Sequence, residues 1–405
     1  MNILDEDLSD DDAAYRAYVD RAPELIAAIE ALVRERGEQP NIHYLHHVWW
    51  RFLKENRRWR TVRDAMLDRE PDRPVPPAAQ PEVPPSRPAT HAPSRPGTCI
   101  KIADGPFHPR FYSYWPNAWV RSDGATFVFG GGLDNHARFF RLDSSGRTDD
   151  LGGLLPIDGT TEGWYWDAHG WLYIPDGPRL LRVNPFTQER EVVFDVSRAW
   201  SGVRVWQAHS SDDGSAHCAT LQHTDTWEKV ATVICSRGEP WKVDARADLD
   251  ESDIDASGQW VVIKEGAGPD NRIVCLDTRD ERTITDAEGA FGHSAMGAGF
   301  IVGEVDKPEP GRCVLMDLRT GRRTDLFQTW NMGHVAVRGD RVLVSNATAR
   351  ELALVDVRDG SYRTLLTDIP GWGRDYDSQV RANLSPCGTR ACFMAGGAIY
   401  MIPLP

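Results

Sequence analysis

The chain has no paired-cysteine motif: its seven Cys are odd in number, scattered, and include no Cys-x-x-Cys. Five of them, Cys218, Cys235, Cys275, Cys313 and Cys392, fall in apolar stretches that read as strands, where a thiol acts as a small apolar filler. This excludes a disulfide framework and points to reduced thiols in a reducing compartment. Positive charge is also short, with 46 Lys and Arg against 60 Asp and Glu and a net charge of −14. That balance argues against a nucleic-acid phosphate backbone as partner. No apolar run approaches the roughly 18 residues that span a bilayer. No glycine loop ending in Lys-Ser or Lys-Thr is present to cradle a phosphate. The first residues, MNILDEDLSDDD, are acidic where a secretory signal is basic and then apolar. The expectation is a soluble cytoplasmic product, which can still be built into a particle such as a virion.

What the sequence does have is a repeat. An apolar strand, a turn and a second strand recur at Arg138-FFRLDSSG, Arg179-LLRVNPFT, Lys229-VATVICSRG, Arg272-IVCLDTRD, Arg312-CVLMDLRTG and Glu351-LALVDVRDG, with a clipped copy at Ala398-IYMIPLP. Each is preceded by a half-unit built on a small-residue turn, marked by Gly124, Gly214, Gly258, Gly339 and Gly388. Four short strands per unit, at a period of forty-odd residues, predict the blades of a β-propeller. The last copy lacks a fourth strand, whereas Thr98-CIKIA is a β-branched strand with no partner of its own. Unpaired edges are sticky, so Thr98 to Ala103 is expected to close the seventh blade. The predicted fold class is all-β, a seven-bladed β-propeller over residues 98–405.

Two further regions precede it. Residues 1–70 read as helices, with Ser9 and the three Asp after it as an N-cap and with Ile42, Leu45, Val48, Trp49 and Phe52 at helical spacing. Six acids and no bases occupy the first twelve residues, whereas Arg51 to Arg63 holds six bases and one acid. Arg51, Arg57, Arg58 and Arg60 are therefore the expected partner-binding surface of a helical docking segment. Residues 71–97 contain ten of the 27 Pro and read as an extended, semi-rigid linker.

The inner strands of a propeller converge on one channel. Alignment on the turn glycines puts Trp119, His209, Asp253, His334 and Asn383 at equivalent positions, with His293, Glu162 and Gln379 close by. Groups converging from several blades are what a ligand pocket needs. His209, Asp253, Arg381 and Asn383 are the expected ligand-binding residues. Other signals read as structural. Gly292-HSAMG nearly spells a nucleophile elbow but leads into a strand, Asp253-IDASG reads as a turn, and His43, His46 and His47 share a helical face without a fourth ligand. The aromatic stretch from Phe107 to Trp119 is read as packing of the first inner strand.

Through turns such as Leu384-SPCG and Asp255-ASG, the propeller region resembles TolB-like propellers and the seven-bladed oligogalacturonate lyases. The lyase resemblance implies a divalent metal held by histidines and a glutamine at the channel mouth. In this sequence that set would be His293, His334 and Gln379, the last within Ser378-QVRANLSPCG. Two functions are expected from different classes. The first is a non-enzymatic interaction or structural protein with no cofactor. Its N-terminal helices would bind a protein partner, and its propeller face a protein or a carbohydrate. The second is a metal-dependent uronate lyase or hydrolase at the channel mouth. Changing Arg51, Arg57, Arg58 and Arg60 together to Glu is expected to abolish pull-down of the partner assembly and leave the propeller's melting temperature unchanged. Association that survives the fourfold change contradicts the docking role.

Overall fold

The computed structural model describes residues 99–103, 118–131, 136–156, 163–226, 228–236, 239–265, 270–306, 311–329, 333–346, 350–367, 369, 380–395 and 398–404. The helical segment and linker expected over 1–97, the four arginines of the docking surface, Glu162 and Gln379 lie outside these residues. The described residues form twenty-eight strands, from β1 (Ile100–Ala103) to β28 (Ala398–Pro403), in seven four-stranded antiparallel sheets. Six sheets are consecutive meanders. The seventh runs in the order β1, β28, β27 (Arg390–Ala395), β26 (Arg381–Leu384), so the first strand is its outermost member. The protein is a seven-bladed β-propeller.

Burial follows strand position. The second strand of the third blade, β11 (Ala216–His223), is buried at every position but its last, because both faces of the sheet are covered by neighbouring blades. The outermost strand of the fourth blade, β17 (Glu281–Ile284), is charged and covered only at alternate positions, an edge that discourages pairing with other molecules. The inner strands are β2 (Ala118–Val120), β6 (Tyr165–Trp166), β10 (Val203–Ser210), β14 (Leu249–Ile254), β18 (Ser294–Gly297), β22 (His334–Arg338) and β26.

Hydrophobic cores lie between blades rather than within them. Val262 and Ile273 of the fourth blade pack with Met296, Ile301, Val314 and Met316 of the fifth. Each such side chain contributes roughly 1.5–3 kcal/mol of burial. The first and second blades meet through rings: Trp119 stacks on Phe127 at 5.3 Å and on Trp166 at 5.9 Å. The neighbouring turn has to present no side chain there. Gly170 has φ +88°, and a Cβ on it would stand 2.5 Å from the Trp119 ring. Among the described residues, no helix is long and apolar enough to cross a membrane.

The ring is joined through β1. Ile100 pairs with Met401 and Lys101 with Tyr400. Ile102 joins Ile399 and Met401 of the seventh blade and Val128 and Phe140 of the first in one buried cluster. A protein beginning at Asp104 is therefore expected to lose about 4 kcal/mol or more relative to one beginning at Thr98, the scale of two deleted core side chains. Equal denaturation midpoints for the two would show that β1 does not hold the ring.

Candidate functional site: the central channel

Ionisable side chains meet inside the ring, and they meet in pairs. His209 on β10 and Asp253 on β14 belong to adjacent blades, and their Nδ1 and Oδ1 atoms lie 2.6 Å apart with both side chains almost fully buried. Two residues before Asp253 on the same strand, and so on the same face, Glu251 forms an ion pair with Lys264 of β15 (Trp260–Glu265), whose side chain is 2% exposed. Burial works against the charge on Asp253, but His209 and Lys264 outweigh it and hold the carboxyl below its usual range. Burial pushes Glu251 up against the opposing pull of Lys264. Burial also opposes the Lys264 charge, but Glu251 and Asp253 together keep its ammonium above the ordinary lysine value. One strand over, Arg272 and Glu265 make a third pair, buried on both sides, at 2.7 Å. Removing one partner of such a pair strands the other in a poor solvent, at a typical cost of about 3–5 kcal/mol.

Where the inner strands turn into the second strands, the channel carries a hydrogen-bonded relay. The hydroxyl of Tyr165 meets Ser210 Oγ, which lies 2.5 Å from Nδ1 of His217. Arg338, the last residue of β22, sends Nη1 toward Asp212 Oδ1 in the turn of the third blade, at 3.3 Å. The two residues belong to the sixth and third blades, so the contact crosses the channel. It borders a cavity of about 20 Å³ lined by Tyr165, His209, Ser210, Asp212, Met296 and Arg338 among others. That volume holds about one water molecule.

Where the inner strands begin, His293 and His334 face one another from the fifth and sixth blades, with ring centroids 4.8 Å apart and planes at 41°. His334 is buried and His293 is exposed. Two imidazoles, the residue type a divalent ion would use, thus stand side by side at this end of the channel. Among the described residues, no group of three His, Cys, Asp or Glu comes together to hold a metal.

The structure places the sequence-derived candidates at two levels of the channel. His209, Asp253 and Asn383 oppose Cys218, Val262 and Cys392, all three buried and at one level. Arg381 opens β26 opposite Met394. His334 is not equivalent to His209, as alignment on the turn glycines implies. It opposes Ser345, because β22 joins β23 (Arg341–Asn346) by a two-residue turn, Gly339-Asp340, where the third blade uses a longer one. The fifth blade has the same short turn, Ala298-Gly299, which is why His293 and His334 match each other. Asp255 does act as a turn former: its carboxylate accepts from the backbone of Gln259 and Trp260, each at 2.8 Å. Arg338, Lys264 and the relay from Tyr165 to His217 were not singled out in the sequence. The one available signal was Lys264 interrupting the apolar run of its strand.

No family model and no curated protein matches the sequence. Solved structures do. An oligogalacturonate lyase in complex with manganese superposes with a TM-score of 0.57 at 15% identity, covering 77% of this chain and 97% of that one. An oligogalacturonate lyase from Vibrio parahaemolyticus gives a TM-score of 0.53 at 12% identity, over 77% and 99%. Both likenesses establish the propeller fold.

Burial pushes the pKa of His217 down to about 4. The unfolded protein protonates this imidazole near pH 6.5, so its contribution to stability is complete above that pH and is lost as pH falls toward 4. The gap corresponds to roughly 3 kcal/mol. His217→Gln, which keeps a hydrogen-bonding partner for Ser210, is expected to flatten the decline in urea midpoint between those two values. Parallel declines in the variant and the wild type would mean that His217 is not held neutral.

Proposed function

We propose that the protein is a non-enzymatic interaction protein whose propeller is a binding head for a protein or carbohydrate partner and whose N-terminal region attaches it to a larger assembly. One observation supports this reading above the others. Among the described residues, buried charged side chains of the channel are matched with one another across blades and strands, as in His209 with Asp253 and Lys264 with Glu251. Such pairing rigidifies a scaffold and leaves the groups already engaged. A catalytic site instead needs groups poised to exchange protons with a substrate.

The His293 and His334 pair favours a second reading, a metal-dependent lyase acting on uronate sugars, in line with the manganese complex of the lyase neighbour. In that reading the two imidazoles, with Gln379, would hold the ion. A bound divalent ion would supply charge to stabilise an anion formed next to a uronate carboxylate.

Elemental analysis of the purified protein separates the two. The binding reading expects substoichiometric Mn, Ca and Zn, a melting temperature that chelator leaves unchanged, and no unsaturated uronide released from oligogalacturonate. It also expects His293→Ala with His334→Ala to cost less than about 2 kcal/mol. One equivalent of metal, lost in the double variant, would overturn the binding reading and select the lyase.

A further inference from the structure

The guanidinium of Arg338 is poorly satisfied for a charge that is largely withdrawn from water. Its side chain is 16% exposed, and the Asp212 carboxylate it faces is 53% exposed. The single contact between them, 3.3 Å, is longer than the 2.7–2.9 Å usual for charge-assisted hydrogen bonds. Arg338 Nε is buried and has no hydrogen-bond partner among the described residues. Burial, only partly offset by Asp212, draws the guanidinium below its ordinary pKa. A buried donor left without a partner costs about 1–3 kcal/mol, more when it carries charge. The cavity beside Arg338 is walled by the hydroxyl-bearing side chains of Tyr165 and Ser210.

We infer that Arg338 anchors a carboxylate-binding site at the end of the channel where the inner strands turn. An incoming carboxylate takes the place of Asp212 at the terminal nitrogens of the guanidinium, whose parallel donors match a planar oxyanion. Asp212 is the internal competitor, and its exposure lets it turn outward to water. The cavity of about 20 Å³ holds about one water molecule, so the carboxylate head sits in the place that Asp212 leaves and the remainder of the ligand stays outside the channel. The C-terminus of a peptide, an acidic side chain of a partner and a small free carboxylate share this chemistry. The site is separate from the His293 and His334 pair, which stands where the inner strands begin. It deepens the binding reading by naming the chemistry of what is bound, and a formate titration reads it independently of metal content.

The test titrates the full-length protein with sodium formate at constant ionic strength and follows the melting temperature. The wild-type midpoint is expected to rise with the logarithm of formate concentration, as for a ligand bound only by the folded state. Arg338→Gln should weaken the apparent affinity about tenfold or more, the equivalent of one charge-assisted contact. Asp212→Asn should tighten it about threefold, because the competitor is gone. A tripeptide with a free C-terminus, compared with its amide, then identifies the source. An acid that binds more tightly than formate, with an amide that does not bind, supports a peptide end; an acid no tighter than formate supports a small free carboxylate at the same site. A flat wild-type midpoint, or an Arg338→Gln response equal to wild type, overturns the inference. If Arg338→Gln does not fold, an Asp212→Asn affinity no tighter than wild type overturns it alone.

Discussion

The last sheet of this protein takes its outermost strand from the opposite end of the described fold, which ties the two ends of the ring together. The pairing of β1 with β28 is the interaction on which the rest depends. An open ring would leave β28 with a row of unpaired backbone groups and would expose the cluster of Ile102, Ile399, Met401, Val128 and Phe140. It would also let the first and seventh blades separate, and contacts across the channel would be lost with them.

Polar contacts between neighbouring blades give this propeller its character. Its blades meet over apolar surfaces, but its axis is lined with paired charges and hydrogen-bonded relays. Thr220, Thr232 and Ser252 form a fully buried hydroxyl cluster between the third and fourth blades, and His209 and Asp253 continue that polar seam toward the axis. Polar groups in a low-dielectric interior demand partners, so the seam constrains how adjacent blades can be set against each other. Arg338 is held less closely, since among the described residues its charge lies at a mouth with one long contact.

The architecture was legible because a blade is a local object. Its strands are separated by turns with small residues at regular spacing, and seven copies of that pattern are visible without any long-range information. The channel was less legible, for two physical reasons. Register depends on turn length: a two-residue turn and a longer turn can carry glycine at the same apparent place and still displace the facing residue, as with His334 against His209. The second reason is that pairing partners come from different blades. Nothing near Arg338 in the sequence identifies Asp212, 126 positions away, and nothing near Ser210 identifies Tyr165. The residues could be named as polar and central, but their partners exist only once the ring is closed.

Ring closure is tested most directly by amide hydrogen exchange resolved to peptides. Amides of Ile100–Ala103 and Ala398–Pro403 should be protected together, with opening free energies close to those of the inner blades, because the two strands share one ladder. Exchange of the β1 amides at the rate of an unstructured peptide, while the other six sheets stay protected, would contradict the closed ring and every channel contact inferred from it.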